Sequence, residues 1–383
     1  MIEEILLKTK KAHILFVSNT AFSMWNFRRD VMRHYLNEGY DVSCIAANDT
    51  YAEQIKNLGV NFYSIPISRS GTNPFSEIKI LIFISEILKS VRPDVIISYT
   101  IKPNIYMPIL AKMKKIPCLA VVTGLGYAYI GDGPIQKIAR FLLEQSLKLA
   151  NHVWFLNTDD LNTVCRPYSA LSYKSSVLPS EGINTQYFDD TLFPTPLKDK
   201  FIFLMISRII SDKGVYEYVE SAKVILSLYK NVECHFLGGL DDGNLASITM
   251  DKWQKIYRES GIKYLKTLSD VRGAIINADV IVLPSYKEGI PLSLLEGGSM
   301  RRPLITTDIA GCRDIVSDNI NGFLIPPRDS ASLVVAMKKM IEMPKDDFQR
   351  MKISSREVII QKFEKNIILK KYGEMIENLL RAY

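Results

Sequence analysis

Two basic side chains and two carboxylates stand out in the second half of the chain. The apolar run FIFLMIS (201–207) reads as a strand that ends at Ser207-Arg208. Two residues on, SDKG (211–214) opens a helix, with Ser211 or Asp212 as its cap. Arg208 and Lys213 then stand beside a helix N-terminus at the carboxyl end of a strand, where two cations could clamp a diphosphate. The plainer reading is a solvated lysine and a surface arginine. The second element is PSYKEGIPLSLLEGGS (284–299). Here a strand ends at Pro284, a glycine loop follows, and a helix starts near Pro291. The backbone N–H groups of Gly289, Ile290 and Leu292 lie close to that helix start, a ready site for an anion. Glu288 sits in the loop, and Glu296 lies further along the helix. A loop charge and an ordinary surface-helix glutamate are the plainer readings of these two.

The elements that must position these groups follow from hydrophobic periodicity. AHILFVS (12–18), YDVSCIAA (40–47), NFYSIPI (61–67), DVIISYT (94–100), IPCLAVVTG (116–124) and HVWFLN (152–157) are short apolar runs separated by helical patterns. Such alternation is the mark of a parallel sheet covered on both faces. It pauses at 181–200, a polar stretch with Pro194 and Pro196 that reads as an inter-domain linker. It restarts at 201 and continues through VECHFLG (232–238), DVIVLPS (279–285), PLITT (303–307) and GFLIP (322–326). From about 330 the chain is helical and amphipathic. The expectation is an α/β protein of two doubly wound domains with a ligand crevice between them. Open sheets of this kind bind ligands at the carboxyl ends of their strands.

The length of 383 residues suits two domains, and 47% hydrophobic with 23% charged residues is a globular balance. Disordered, collagen-like and disulfide-rich classes are excluded. The five cysteines are scattered and form no CxxC pair, which points to reduced core thiols rather than a zinc or redox site. No GxGxxG follows the first strand, and no GxxxxGK[ST], HExxH or GxSxG occurs. Only four histidines are available for acid–base work. The net charge is +7, and residues 1–150 hold 18 Lys and Arg against 12 Asp and Glu. No Arg-rich run accompanies this bias, so it fits an anionic small substrate or an anionic membrane surface better than nucleic acid. No apolar run spans a membrane, and the N-terminus lacks a signal-peptide pattern. A cytoplasmic protein is expected.

Taken together, Arg208…Lys213 followed by E-G-x-P-x-x-x-x-E resembles the retaining GT-B glycosyltransferases of family 4. Glu288 and Glu296 match the E-x7-E spacing of that family. PLITTDIAGCRDIVSDNINGFLIPP (303–327) resembles the family's following segment. NTAFSMWNFRRDVMRHYLNEGYDV (19–42), SYTIKPNIYMPILAK (98–112) and VVTGLGYAY (121–129) resemble the branch that builds O-antigen and capsule. The resemblance spans nearly the whole chain. It implies an N-terminal acceptor-binding domain (1–180), a linker (181–200), a nucleotide-sugar-binding domain (201–360) and a C-terminal helix (361–383) packing back towards the first domain.

The resemblance also implies roles. Arg208 and Lys213 would hold the donor diphosphate and stabilise the leaving charge, with no metal and no cofactor needed. Glu288 would contact the transferred sugar, and Glu296 the ribose hydroxyls, since a carboxylate accepts both hydrogen bonds of a diol. Gly289, Ile290, Pro291 and Leu292 would shape the phosphate loop. Asn19, Trp25, Asn26, Lys102, Gly124 and Tyr127 would lie on the acceptor side. The family often has a histidine after the fourth strand and EAMAxGxP after the motif. This chain has Tyr99-Thr100 with Lys102, and EGGSMRRP (296–303), whose two glycines would loosen the helix start. The implied activity is transfer of a hexose or N-acetylhexosamine from a nucleotide sugar, UDP-linked, to a polyprenyl-diphosphate-linked saccharide. A nucleotide-sugar 2-epimerase and a non-catalytic sugar-nucleotide-binding subunit share the architecture and stay open at this point. Helix 74–90 and IYMPILAKMKK (105–115) mix apolar and basic residues and would rest peripherally on the anionic inner face of the cell membrane. Burial against the sheet is the competing reading.

Overall fold

A computed structural model describes residues 11–67, 74–129, 133–194, 199–241 and 246–382. It divides into two compact units, Met1–Glu181 with Ile368–Tyr383, and Gly182–Ile367.

The first unit alternates strand and helix: β1 (His13–Thr20), α1 (Ala21–Asn37), β2 (Asp41–Ala47), α2 (Ala52–Asn57), β3 (Asn61–Ser64), α3 (Pro74–Val91), β4 (Val95–Tyr99), α4 (Ile101–Lys114), β5 (Cys118–Val122), α5 (Pro134–Leu147), β6 (His152–Phe155), α6 (Thr158–Cys165), α7 (Ser169–Ser172) and β7 (Ser175–Val177). The sheet runs β3-β2-β1-β4-β5-β6-β7, all parallel, with Phe16 opposite both Cys44 and Ile97. β1, β4 and β5 are central and buried on both faces, which is why they read as unbroken apolar runs. The strand order reverses between β1 and β4, the place where such sheets open a crevice.

The second unit follows the same plan: β8 (Phe201–Ile206), α8 (Val215–Leu228), β9 (Val232–Leu237), α9 (Met250–Arg258), β10 (Lys263–Tyr264), α10 (Arg272–Asn277), β11 (Val280–Leu283), α11 (Leu292–Ser299), β12 (Leu304–Thr307), α12 (Cys312–Ile315), β13 (Gly322–Ile325), α13 (Ser330–Glu342) and α14 (Lys345–Phe363); the helix that follows, α15 (Lys365–Arg381), belongs from Ile368 onward to the first unit. Its parallel sheet runs β10-β9-β8-β11-β12-β13, with the reversal between β8 and β11. All five cysteines are buried free thiols. No helix among the described residues is long and apolar enough to cross a membrane.

Two expectations change here. Residues 182–193, read as linker, are packed into the second unit. Ile183 forms a bridge with Glu364, and Asp189 takes Arg356 at 2.6 Å while Asp190 takes Arg301. The polar look of this stretch comes from carboxylates that are matched by arginines of the unit itself. Gly297 and Gly298 do not loosen α11. A Cβ at Gly297 would lie 2.4 Å from Ile281 Cγ1, and one at Gly298 would lie 2.9 Å from Ile359 Cγ1. The two glycines let α11 press directly on β11 and α14.

The chain leaves the first unit at Glu181 and returns with α15. That helix buries Ile368, Tyr372, Ile376 and Leu379 along one stripe. The Tyr372 hydroxyl donates to Glu181 at 3.0 Å and lies 2.9 Å from the Tyr99 hydroxyl. Arg28 closes the network on Glu181 at 2.7 Å.

Candidate active site

In the second unit the groups after β8 and β11 are brought together by close backbone approach. Ser211–Lys213 forms a 3₁₀ turn, and α8 opens at Gly214 with no side-chain cap, so neither Ser211 nor Asp212 caps it as expected. Gly214 has φ +73°, and a Cβ there would lie 2.0 Å from the Pro284 carbonyl oxygen. Only glycine lets the turn press against the end of β11. The Tyr286 N–H and the Ser285 hydroxyl both donate to the Asp212 carbonyl, at 2.8 and 3.0 Å. On the far side, Gly311 (φ +75°) would place a Cβ 1.7 Å from the Gly289 carbonyl oxygen. The loop 285–291 is therefore held between two glycine turns.

This clamp sets Lys213 Nζ 2.5 Å from Glu288 Oε1, with 17% and 8% of the side chains exposed. Residues 75 positions apart thus form an enclosed, charge-assisted pair. Arg208 lies apart from it and pairs with Asp241, just beyond β9, while half exposed. Both expected diphosphate cations therefore face a carboxylate that an anionic ligand would have to replace.

α11 begins at Leu292 after Pro291, with no side-chain cap and no acidic residue in its first turn. Its first N–H groups, adjoining Gly289 and Ile290, are left for an anion. Glu296 is one turn further on and half-buried. Burial, with the nearby Asp270 carboxylate, pushes its carboxyl up to about 8. A surface-helix glutamate would not be shifted in this way.

In the first unit, the carboxyl ends of β1, β4 and β5 are neighbours. Asn19 is the last residue but one of β1, and its Oδ1 is buried without a hydrogen-bond partner, as is Ser18 Oγ. Thr100, after β4, has φ +68° and ψ 166°, a region almost confined to glycine. Gly124, after β5, has φ +134° and open space around it. These three backbone positions converge. Other expected acceptor-side residues do not join them. α1 starts at Ala21, so Trp25 and Asn26 are helical rather than in a loop. Asn26 Nδ2 donates back to the Phe22 carbonyl at 2.9 Å, and the Arg29 guanidinium lies over the Trp25 ring. Lys102 is half-buried and ion-paired with Glu77 of α3 at 2.7 Å, a carboxylate that a phosphate would have to replace there too. Tyr127 lies in the 3₁₀ turn Gly126–Tyr129, and its side chain falls outside the described residues.

Comparison with known proteins decides the family. A family model described as Glycosyl transferase 4-like matches residues 13–157, and one described as Glycosyl transferases group 1 matches residues 189–358. The chain belongs to the group 1 glycosyltransferases. A curated relative of this glycosyltransferase is the N,N'-diacetylbacillosaminyl-diphospho-undecaprenol alpha-1,3-N-acetylgalactosaminyltransferase of Campylobacter jejuni. It is 27% identical, over 96% of this chain and 98% of its own. Another is the UDP-Gal:alpha-D-GlcNAc-diphosphoundecaprenol alpha-1,3-galactosyltransferase of Escherichia coli, 23% identical over 80% of this chain and 81% of its own. The solved glycosyltransferase of Rickettsia africae shares the GT-B fold with a TM-score of 0.80 at 19% identity, over 97% of this chain and 100% of its own.

Three groups of the candidate site escape the sequence pattern. Asp241 follows a glycine pair at the end of β9, a position where open sheets expose functional side chains, so it carried a signal. Asp270 acts on Glu296 only through the fold. Gly311 was visible in AGCRD, yet its close approach to Gly289 is a property of the backbone.

Proposed function

We propose that this glycosyltransferase moves a hexose or N-acetylhexosamine from a UDP-linked sugar to a polyprenyl-diphosphate-linked saccharide, with retention, in surface polysaccharide assembly. The observation that carries the reading is the enclosed Lys213–Glu288 pair beside the uncapped start of α11. The printed activities of the two relatives support the choice of donor and acceptor.

Breaking the sugar–phosphate bond sends its electron pair to the diphosphate and leaves oxocarbenium character on the ring. Lys213, Arg208 and the first N–H groups of α11 take up the developing charge, which is largest in the transition state. Glu288, released from Lys213, accepts hydrogen bonds from the hydroxyls of the sugar in transit. Glu296, its carboxyl pushed up to about 8, meets the ribose diol by accepting from one hydroxyl and donating its proton to the other. The acceptor hydroxyl bonds to the anomeric carbon on the departing face, and its proton passes to the leaving phosphate oxygen. No histidine is required, and metal is not part of the scheme. The acceptor's lipid would keep the enzyme peripheral on the inner face of an anionic membrane.

Initial rates with a panel of UDP-sugars and polyprenyl-diphosphate saccharides test the scheme. Lys213→Ala and Glu288→Gln should each lose about 100-fold or more in kcat, and Lys213→Ala should also weaken UDP binding. EDTA should leave the rate unchanged. Full turnover by either variant, or a strict metal requirement, would overturn these assignments.

A further inference from the structure

We infer that α3 and α5 together form the surface on which this protein sits on an anionic lipid bilayer. The inference rests on the proposed lipid-linked acceptor and names the face that meets the lipid.

The crossovers β3 to β4, β4 to β5 and β5 to β6 all step the same way across the sheet. Right-handed crossovers then put α3, α4 and α5 in one layer on one face. Their inner sides are spent on the core: Ile80, Ile84 and Leu88 of α3, and Leu143 and Leu147 of α5, are buried. Their outer sides are apolar as well. On α3, Phe75, Ile78, Ile82 and Phe83 are 78%, 54%, 59% and 48% exposed. On α5, Ile135, Ile138, Phe141 and Leu142 are 46%, 61%, 59% and 44% exposed. The positions 75, 78, 82 and 135, 138, 142 repeat at i, i+3 and i+7, so each helix carries a continuous outer stripe. A helix with an apolar stripe on its outer as well as its inner side has a second covering besides its own core. Neither helix meets the length and hydropathy of a spanning segment, so the fitting geometry lies in the plane of the interface. The segment 105–115, expected to share this role, does not: Tyr106, Met107, Pro108 and Leu110 of α4 are buried between the two flanking helices. It contributes only its end, with exposed Met113, Lys112 and Lys115.

Charge selects lipid over a second copy of the chain. Residues 74–149 hold ten Lys and Arg against five Asp and Glu. Lys79, Lys112, Lys115 and Lys137 are exposed along this layer. The acids among the described residues are engaged locally: Glu77 with Lys102, Glu86 with Lys89, Asp94 with the His13 N–H, and Glu144 with the hydroxyls of Tyr129 and Tyr168. A two-fold contact would set one basic rim against another, whereas an anionic leaflet complements both the stripe and its rim.

The test is sedimentation of the full chain with vesicles of phosphatidylcholine alone and with 30% phosphatidylglycerol added (a composition of roughly the charge that recruits basic surfaces). Binding should be at least ~10-fold tighter to the anionic vesicles, since each surface lysine contributes a factor of about 5. Ile82→Glu with Phe83→Glu, and separately Ile138→Glu with Phe141→Glu, should each lower partitioning by ~10-fold or more. Leu228→Glu and Val335→Glu, exposed on α8 and α13 of the second unit, should not. All six residues are surface side chains, and circular dichroism checks that the variants fold. Wild-type partitioning in both helix variants overturns the proposal. So does absence of binding, or a wild-type dimer in light scattering that the same substitutions turn into monomer. The transferase reading is scored separately, with a short-chain water-soluble acceptor. The helix variants should keep full kcat on it and lose rate only on acceptor embedded in vesicles. Failure of every UDP-sugar and acceptor would sink that reading and leave the lipid surface standing.

Discussion

Lys213 and Glu288 lie 2.5 Å apart and largely out of water. Such a pair adds little net stability, because the loss of hydration offsets much of the attraction. On the proposed reading its worth lies in holding a cation ready for phosphate. The double substitution Lys213→Met/Glu288→Met should therefore melt close to wild type, while Lys213→Met alone, which strands a buried carboxylate, should melt lower by the equivalent of about 3 kcal/mol. Thermal melts of the three proteins check this, and both variants should bind UDP more weakly than wild type. Glu296 gives a pH signature. Its carboxyl titrates near 8 in the fold and at about 4.3 in an unfolded chain. Between those values the folded protein holds a proton that the unfolded chain does not, so stability falls as pH rises across that window. Glu296→Gln should remove the dependence. Its Tm should match wild type at pH 4.5 and exceed it by a growing margin towards pH 8.5. A constant difference over that range would show that the carboxyl is not shifted.

At the scale of elements, α11 works because it has almost no side chain where it meets β11. Adding a Cβ at Gly297 forces it into Ile281, and overpacking of this kind costs about 1–3 kcal/mol. Gly297→Ala should lower the unfolding midpoint of the second unit and, if the start of this helix holds the donor phosphates as proposed, reduce UDP affinity. Combining it with Ile281→Ala should show a favourable coupling in a double-mutant cycle. The strands that build this site were readable from the chain. DVIVLPS and FIFLMIS are apolar throughout because central parallel strands have no wet face. β7, with Ser175-Ser176-Val177, and β10, with Lys263-Tyr264, were not readable. They are edge strands of three and two residues, half-wet and too short to show a period. The site was half legible. Glu288, Glu296 and Lys213 show in the motif spacing. The turning of Arg208 to Asp241 and the approach of Gly311 to Gly289 are settled by loops whose path no periodicity encodes.

At the scale of the molecule, the two units differ in how they close. The second unit is one continuous stretch, Gly182–Ile367, whereas the first needs Ile368–Tyr383 as well as its opening 181 residues. Tyr372 stands against Trp154 with ring centroids 4.9 Å apart and reaches Glu181 and Tyr99 at the bottom of the same pocket. Each large apolar side chain of that stripe contributes about 1.5–3 kcal/mol by burial. A chain ending at residue 367 should keep the melting transition of the second unit and lose several kcal/mol from that of the first, as calorimetry and Trp154 fluorescence would report. The order of synthesis follows from the same feature. As the chain emerges from the ribosome, the opening 181 residues are made first, yet they wait for the last sixteen before their core is sealed. The stretch between them has all its parts earlier and can fold first. The half of the protein that is translated first is thus the half that matures last, and a premature stop anywhere before α15 leaves it open.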